Sequence, residues 1–589
     1  MSKTLEIYSD FNVEIVCDDE KVITELHEIY KKNGVSILEL KVSPSIHNSL
    51  VPVTLKWKIP AINVKGIWKP TSDFNKRIQA DWELEHMESR ISIDAPVINL
   101  FGHKDENVMT FACSNAIDKI EMNASLREED NHYYCHITFF SEQHFDIKDF
   151  KVQLRLDSQE NHFSQSLKNV AKWWESFENL KPAHVPAIAK RPFYSTWYQF
   201  HQNLDPEILL EECTIAKELG YDAIIIDDGW QTHDTNRGYD YTGDWEPDRI
   251  PDMAGFIERI HTKGMKVALW YSVPFCGKMS RAYKKFKGKF LTENHRWAPV
   301  FDPRYPEVRS HLINLYTKGL KEWNLDGFKL DFIDDFKWYP DTPEFKEGMD
   351  YDSINLAVDR LLMDAQNALY KINPEVFIEF RQKYTGPAMR KYGNMFRAFD
   401  CPGDATMNRV RIADIKMLCG DSAPHADMVT WHPDEPVEIA ALQLANILFG
   451  VPQLSVVLKE TPKSYLKMIR FFTQYWNKYS DILLSQDFVP MNPLANYPLQ
   501  YATLNETRIY GIHSPVLVSL EKAYSEIHFI NAQIADEIIL KCNEDFGKYS
   551  LQIFNCKGEE VDANADFELK KDIVQIAVPP CGIIKMRKI

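Results

Sequence analysis

The sequence predicts a multidomain protein built on a central (β/α)8 TIM barrel, with a β-sandwich on each side of it. Three observations carry this. Between residues 187 and 480, short apolar runs alternate with longer helical patterns, eight times over, as a (β/α)8 barrel requires. Polar residues gather at or just after the C-terminal ends of those runs, where such barrels hold their sites. In the flanking stretches, 1–180 and 485–589, apolar and polar residues alternate with period two, the mark of half-buried antiparallel strands.

The first unit, 1–180, rests on alternating segments such as 35–42 and 151–156, and a proline-containing link over 181–186 leads out of it. In the barrel the expected strands are 193–198, 223–227, 267–273, 327–332, 376–380, 395–399, 428–431 and 454–457. Helical patterns fall between most of them, at 206–219, 253–263, 306–323 and 352–372. Alternation returns at 537–541 and 572–578, which makes 485–589 a small terminal β-sandwich.

Bulk composition narrows the function classes. The net charge of −17, from 68 basic and 85 acidic residues, opposes both nucleic acid and an anionic membrane surface. No run of about 18 apolar residues is present to span a bilayer. The opening MSKTLEIYSDF lacks the apolar core of a signal peptide, and the ten cysteines include no CxxC or zinc-like spacing. Both point to a cytoplasmic protein with reduced thiols and no metal. Aromatic residues make up 12% of the chain, with 14 tryptophans, which suits the stacking surfaces of a carbohydrate binder.

The chemistry concentrates in Asp326-Gly327-Phe328-Lys329-Leu330-Asp331-Phe332. Phe328, Leu330 and Phe332 mark a buried strand, yet Lys329 and Asp331 stand inside it, on one face by their i, i+2 spacing. Buried charges are costly unless paired or used. Asp331 is therefore the candidate nucleophile of a two-carboxylate glycosidase, with Lys329 holding it ionised and reaching sugar hydroxyls. The plainer alternative is a structural Lys–Asp pair. Strand six carries Arg397 near its end, followed by Asp400, the acid/base candidate, and Asp404, its runner-up or the cap of the next helix. Arg397 is placed to bind a sugar hydroxyl. After strand two, Asp227 and Asp228 on a Gly229 turn are candidates to accept from vicinal hydroxyls, with Trp230 as a stacking wall. Trp197 and Trp270, ending strands one and three, add further walls, while His425 before strand seven reads as structural.

Asp227-Asp228-Gly229-Trp230, Lys329-Leu330-Asp331, the Arg397–Asp400 segment and Gly243-Asp244-Trp245 followed by Ile250-Pro251-Asp252-Met253 together resemble the melibiase-type α-galactosidases of glycoside hydrolase family 36, in clan D. The resemblance implies an N-terminal β-supersandwich, a catalytic barrel and a C-terminal β-sandwich. It implies Asp331 as nucleophile, Asp400 as acid/base, and Asp227 and Asp228 on the 4- and 6-hydroxyls of galactose. Lys329 and Arg397 would take the remaining hydroxyls, with Trp270 and Trp230 lining the pocket. It further implies no cofactor or metal, an α-galactoside as carbohydrate partner, and a homo-oligomer. Trp68 is the residue expected to reach the site from the N-terminal unit. In family members the arginine often precedes the acid/base by four positions; here Arg397 and Asp400 are three apart, and Cys401-Pro402-Gly403-Asp404 departs as well. The acid/base role thus stays open between Asp400 and Asp404. The expected activity is exo-acting, retaining removal of terminal α-galactose. The alternatives are an α-N-acetylgalactosaminidase, an α-glucosidase-like enzyme, a galactosyl transferase, or a catalytically silent carbohydrate-binding protein.

Overall fold

The computed structural model describes residues 11–19, 22–44, 51–83, 86–142 and 150–589. The first ten residues, part of the stretch read for a targeting signal, lie outside the described residues. Before the barrel, two antiparallel sheets face one another. One is five-stranded, in the order Glu14–Cys17, Val53–Pro60, His132–Phe139, Ile120–Arg127, Met87–Ser89. The other is six-stranded, in the order Val22–Lys32, Val35–Pro44, Phe150–Asp157, Asn107–Cys113, Val97–Phe101, Gly66–Trp68. The period-two alternation has its physical outcome here: Leu38 opposes Leu154 and Leu40 opposes Val152, and all four join Leu55, Trp57 and Ile137 in one core between the sheets.

The barrel sheet has eight parallel strands: β1 (Phe193–Ser195), β2 (Ala223–Ile226), β3 (Lys266–Ser272), β4 (Gly327–Asp331), β5 (Phe377–Arg381), β6 (Met395–Arg397), β7 (Ala423–His425) and β8 (Gln453–Leu454). Neighbours pair in sequence order, β1 also pairs with β8, and bridges His425–Val451 and Val429–Leu454 close the ring. The longer barrel helices are α1 (Pro206–Leu219), α2 (Met253–Thr262), α3 (Pro306–Trp323), α4 (Ile354–Tyr370), α5 (Ala405–Leu418), α6 (Val437–Asn446) and α7 (Lys463–Leu483). Only a short 3-10 turn, Met389–Lys391, separates β5 from β6. α1 shows why the sequence sets these bounds. Asp205 accepts from the amides of Glu207 and Ile208 at 2.9 and 3.1 Å, Pro206 opens the first turn, and Gly220 closes the helix at φ 99°. Where β4 and β5 lie side by side, a side chain at Gly327 would meet the Phe377 ring at 2.4 Å, so only glycine fits.

Strand seven differs from expectation. It occupies Ala423–His425 rather than 428–431, so His425 lies in the strand, and Asp427 and Trp431 follow it. A three-residue strand containing Pro424 carries no apolar run to announce it.

After the barrel, a seven-stranded sheet from Phe488–Met491 to Ile583–Lys588 and a three-stranded sheet pack around Ile527, Phe529, Leu540 and Ile584. Within the small sheet Glu537–Cys542 pairs antiparallel with Ile573–Ala577. The three regions meet on α5. Its buried Asp414 accepts from Trp68 Nε1 at 2.8 Å and the Tyr497 hydroxyl at 2.6 Å, with Lys76 Nζ at 3.4 Å. Trp68 is thus enclosed against a barrel helix rather than sent into the mouth. Its indole N–H, which needs a partner once buried, is satisfied by that carboxylate.

Among the described residues no helix is long and apolar enough to cross a membrane. The ten cysteines form no disulfide.

Candidate active site

Asp331 ends β4 at the C-terminal mouth of the barrel and is buried. Four donors converge on it. Trp270 Nε1, from β3, reaches Oδ2 at 2.9 Å. Arg381 Nε, from the end of β5, reaches Oδ1 at 2.7 Å, the Tyr384 hydroxyl at 2.8 Å, and the Phe332 amide at 2.7 Å. Phe332 adopts φ +64°, rare for an aromatic residue, and this turn folds its own amide back onto the carboxylate. Oδ1 has three donors and Oδ2 has one, so Oδ2 is the less occupied of the two oxygens. Burial alone would push this carboxyl up, but the Arg381 and Lys329 charges outweigh it and hold Asp331 far below the usual carboxylate range.

Lys329 Nζ, one turn of the pleat earlier, donates to Asp227 Oδ2 at 2.6 Å. Burial opposes its charge most strongly and Arg397 adds to that, but Asp227, Asp331 and Glu379 together outweigh them, and the group stays an ammonium. Asp227 follows β2; its amide donates to Thr196 Oγ1 at 3.0 Å, and its Oδ1 accepts from the Asp228 amide at 2.9 Å. Asp228 accepts from Gln202 and Gln231, each at 2.7 Å. Burial outweighs both amides, Asp227 adds repulsion, and the Asp228 carboxyl is pushed up to about 7. The turn depends on Gly229, at φ +118°, where a side chain would strike the Gln202 backbone at 2.5 Å.

Arg397, ending β6, is fully enclosed and serves three carboxylates: Asp400 Oδ1 at 2.8 Å, Glu379 Oε1 at 3.4 Å, and Asp427 Oδ1. Asp427 also accepts from the Tyr198 hydroxyl and the Cys401 amide, both at 2.7 Å. Burial pushes Asp427 up to about 6 against the pull of Arg397. The Asp400 side chain is 42% exposed at the mouth. Burial pushes its carboxyl up and the Asp331 charge adds to that, but Arg397, Lys329 and Arg381 together leave it below its ordinary value.

Other expected residues are placed differently. Asp404 is exposed and accepts from the Met407 amide at 2.8 Å, capping α5. Trp230 is 0% exposed and packs among Trp245, Tyr271 and Trp323, with Nε1 donating to the Trp270 carbonyl at 3.0 Å. It is not a pocket wall: the Gly229 turn carries it inward, where its N–H supports the strand bearing Trp270. Trp270 stacks on Tyr239 at 5.9 Å. Trp197 lies beyond the end of β1, half-buried in a short helix, edge-on to His201 at 4.5 Å. His425 bonds the Ala189 carbonyl at 2.7 Å and Gln453 at 3.1 Å, a satisfied interior histidine.

Sequence reasoning missed Arg381, Tyr384 and Glu379. Glu379 carried a readable signal, a charge inside the apolar run Phe377-Ile378-Glu379-Phe380, the same signature that marked Lys329. Among the described residues no group of three or more His, Cys, Asp or Glu is arranged to hold a metal ion.

A buried, ionised carboxylate at the mouth of a (β/α)8 barrel, ringed by further carboxylates and cations, defines the class of protein: a multidomain barrel with the fold of the family 36 glycoside hydrolases, which the chain resembles. No protein-family model matches the chain. It is similar to the α-galactosidase Mel36A of Lactobacillus acidophilus, 26% identical over 178 residues, a match covering 28% of this chain and 23% of that protein. The α-galactosidase of Lactobacillus brevis has a similar structure, with a TM-score of 0.64 and 15% identity over 100% of this chain and 83% of that one. So does the family 36 α-galactosidase AgaA of Geobacillus stearothermophilus, with a TM-score of 0.64 and 13% identity over 100% and 85%. A family 31 sulfoquinovosidase from E. rectale follows with a TM-score of 0.61 and 10% identity over 100% and 89%. The shared fold therefore spans more than one sugar specificity.

Proposed function

We propose that the protein is a retaining, exo-acting α-galactosidase. The barrel, 187–480, carries the reaction between flanking units at 1–180 and 485–589. The observation that carries this reading is Asp331, a buried carboxylate held ionised by Arg381 and Lys329, with a second and exposed carboxylate, Asp400, at the same mouth. Asp331 Oδ2 attacks the anomeric carbon while Asp400, protonated for this step against the pull of Arg397, Lys329 and Arg381, delivers its proton to the glycosidic oxygen, and the aglycone leaves. Water then attacks the glycosyl ester, Asp400 takes its proton, and Asp331 departs as carboxylate. Loss of the Asp331 charge in the ester removes its repulsion of Asp400, which favours the ionised form that the second step needs.

Lys329, Asp227, Asp228 and Arg397 bind the sugar hydroxyls, with Trp270 and Trp197 as apolar walls. Asp404 and Trp230 act behind the site, as a helix cap and as support for Trp270. Mel36A, the L. brevis protein and AgaA are α-galactosidases, and variants of AgaA have been solved with raffinose and with stachyose, which supports an α-galactoside substrate.

A second reading keeps the two carboxylates and changes the sugar; the family 31 structure supports it. A silent binding protein would have no use for a buried carboxylate with four donors. The test is a matched set of nitrophenyl sugars: α-galactoside, α-N-acetylgalactosaminide, α-glucoside and β-galactoside. Release from the α-galactoside alone upholds the proposal; release only from another sugar replaces the substrate; binding without release rejects the enzyme.

A further inference from the structure

We propose that Asp73, on a turn of the N-terminal region, is a positioning residue for Asp400, and this rests on the reading of Asp400 as acid/base. The link is a single guanidinium. Arg411, on α5, presents Nε and Nη2 to Asp73, at 2.9 Å to Oδ1 and 2.7 Å to Oδ2. Its remaining nitrogen, Nη1, donates to the main-chain carbonyls of Phe399 at 3.1 Å and Asp400 at 3.2 Å. The planar fork of arginine makes this geometry stiff, because one edge fixes the orientation of the other.

The anchor is itself held. Ser72 accepts from the Asn75 amide at 2.8 Å to close the turn, Asp73 sits at φ +50°, and its carbonyl takes the Lys76 ammonium. Lys76 pairs with Asp414, one helical turn beyond Arg411, so the same segment grips α5 at two successive positions. The Phe399 ring lies 5.4 Å from the Arg411 guanidinium and 4.9 Å from that of Arg381, the partner of Asp331. The backbone carrying the acid is thereby placed in register with the nucleophile. Among the described residues the Asp400 side chain is otherwise tied only to Arg397, so its reach toward a leaving oxygen is set by the backbone that Arg411 holds. Asp73 is 32% exposed in its side chain, and as an ordinary surface pair it would do little for stability.

Proton delivery is the part of the reaction that depends most on where Asp400 stands, and a good leaving group does not need it. The experiment compares kcat/KM for α-galactosyl fluoride, which leaves unaided, with that for melibiose, whose sugar leaving group requires a proton. Asp73→Asn should lower the melibiose value by about 10- to 100-fold and the fluoride value by no more than about threefold. Asp73→Glu, which keeps the charge, should recover part of the loss. Equal losses on both substrates, or no loss on either, overturn the proposal. Should Asp73→Asn fail to fold, Arg411→Gln decides from the barrel side by the same criterion. Asp400→Ala runs alongside: if it splits the substrates and Asp73→Asn does not, the link alone fails; if it does not split them, the acid/base reading and the link fall together.

Discussion

Arg381 Nε donates to Asp331 Oδ1 at 2.7 Å, joining the ends of two neighbouring barrel strands. The cation expected in this place was Lys329, which stands two residues before Asp331 but gives its short hydrogen bond to Asp227 instead. The two cations divide the work. Arg381 pins Asp331 and holds it ionised, while Lys329 pins Asp227 and reaches Asp331 only through space.

Replacing Arg381 with glutamine should therefore move the acid limb of kcat/KM. Asp331 must be ionised to attack, and Arg381 is the largest influence lowering its pKa. Without it the pKa rises, and activity should fall away at a higher pH on the acid side, by one unit or more. A pH–rate profile that keeps its acid limb would separate Arg381 from the nucleophile.

Asp331→Ala should lower turnover of an aryl α-galactoside by about 10⁴-fold or more, because it removes the carboxylate on which the proposed glycosyl ester forms. Near-normal turnover would place the nucleophile elsewhere.

Asp400→Ala and Asp404→Ala should behave differently. The first should slow substrates with poor leaving groups by about 10²- to 10⁴-fold. The second removes a helix cap, with an expected loss of about 0.5–2 kcal/mol in denaturant unfolding and little change in turnover. The reverse pattern would exchange their roles.

Asp228 gives a pH signature. Its carboxyl, ordinarily near 3.8, is pushed up to about 7 in the folded protein. Between about pH 4 and about pH 7 the folded state keeps a proton that the unfolded chain has released, so this group's contribution to stability is present at low pH and lost as pH rises. Asp228→Asn should remove that loss: the variant should gain on the parent by about 1–3 kcal/mol across this window. Asp94 and Asp427, also pushed up, cancel in the comparison. A gain that stays flat with pH would contradict the assignment.

Much of the fold was legible because its signals are local. α1 and α3 carry helical patterns ended by Gly220 and Asn324 in left-handed conformations, and their bounds follow from the sequence. Asp331 stood out since a charge inside an apolar strand has few neutral explanations. Arg381 did not, because an arginine just past an apolar run is an ordinary surface residue until the neighbouring strand brings Asp331 beside it. Trp230 failed for the opposite reason. Motif position suggested the rim, but a backbone turn at Gly229 decided where the ring went, and no composition rule records that. Strand seven was lost to Pro424 and to its length of three residues.

Asp414 ties its helix to Trp68, Lys76 and Tyr497, residues that come from opposite ends of the chain. A barrel cut free of its neighbours would expose this aspartate together with the apolar surface around it, and either sandwich alone would leave an indole or a phenol without its acceptor. Recombination that exchanged one unit for a foreign one would therefore break a buried bond in each of the others. A single carboxylate at the junction thus couples all three regions, and losing it would loosen each of them at once.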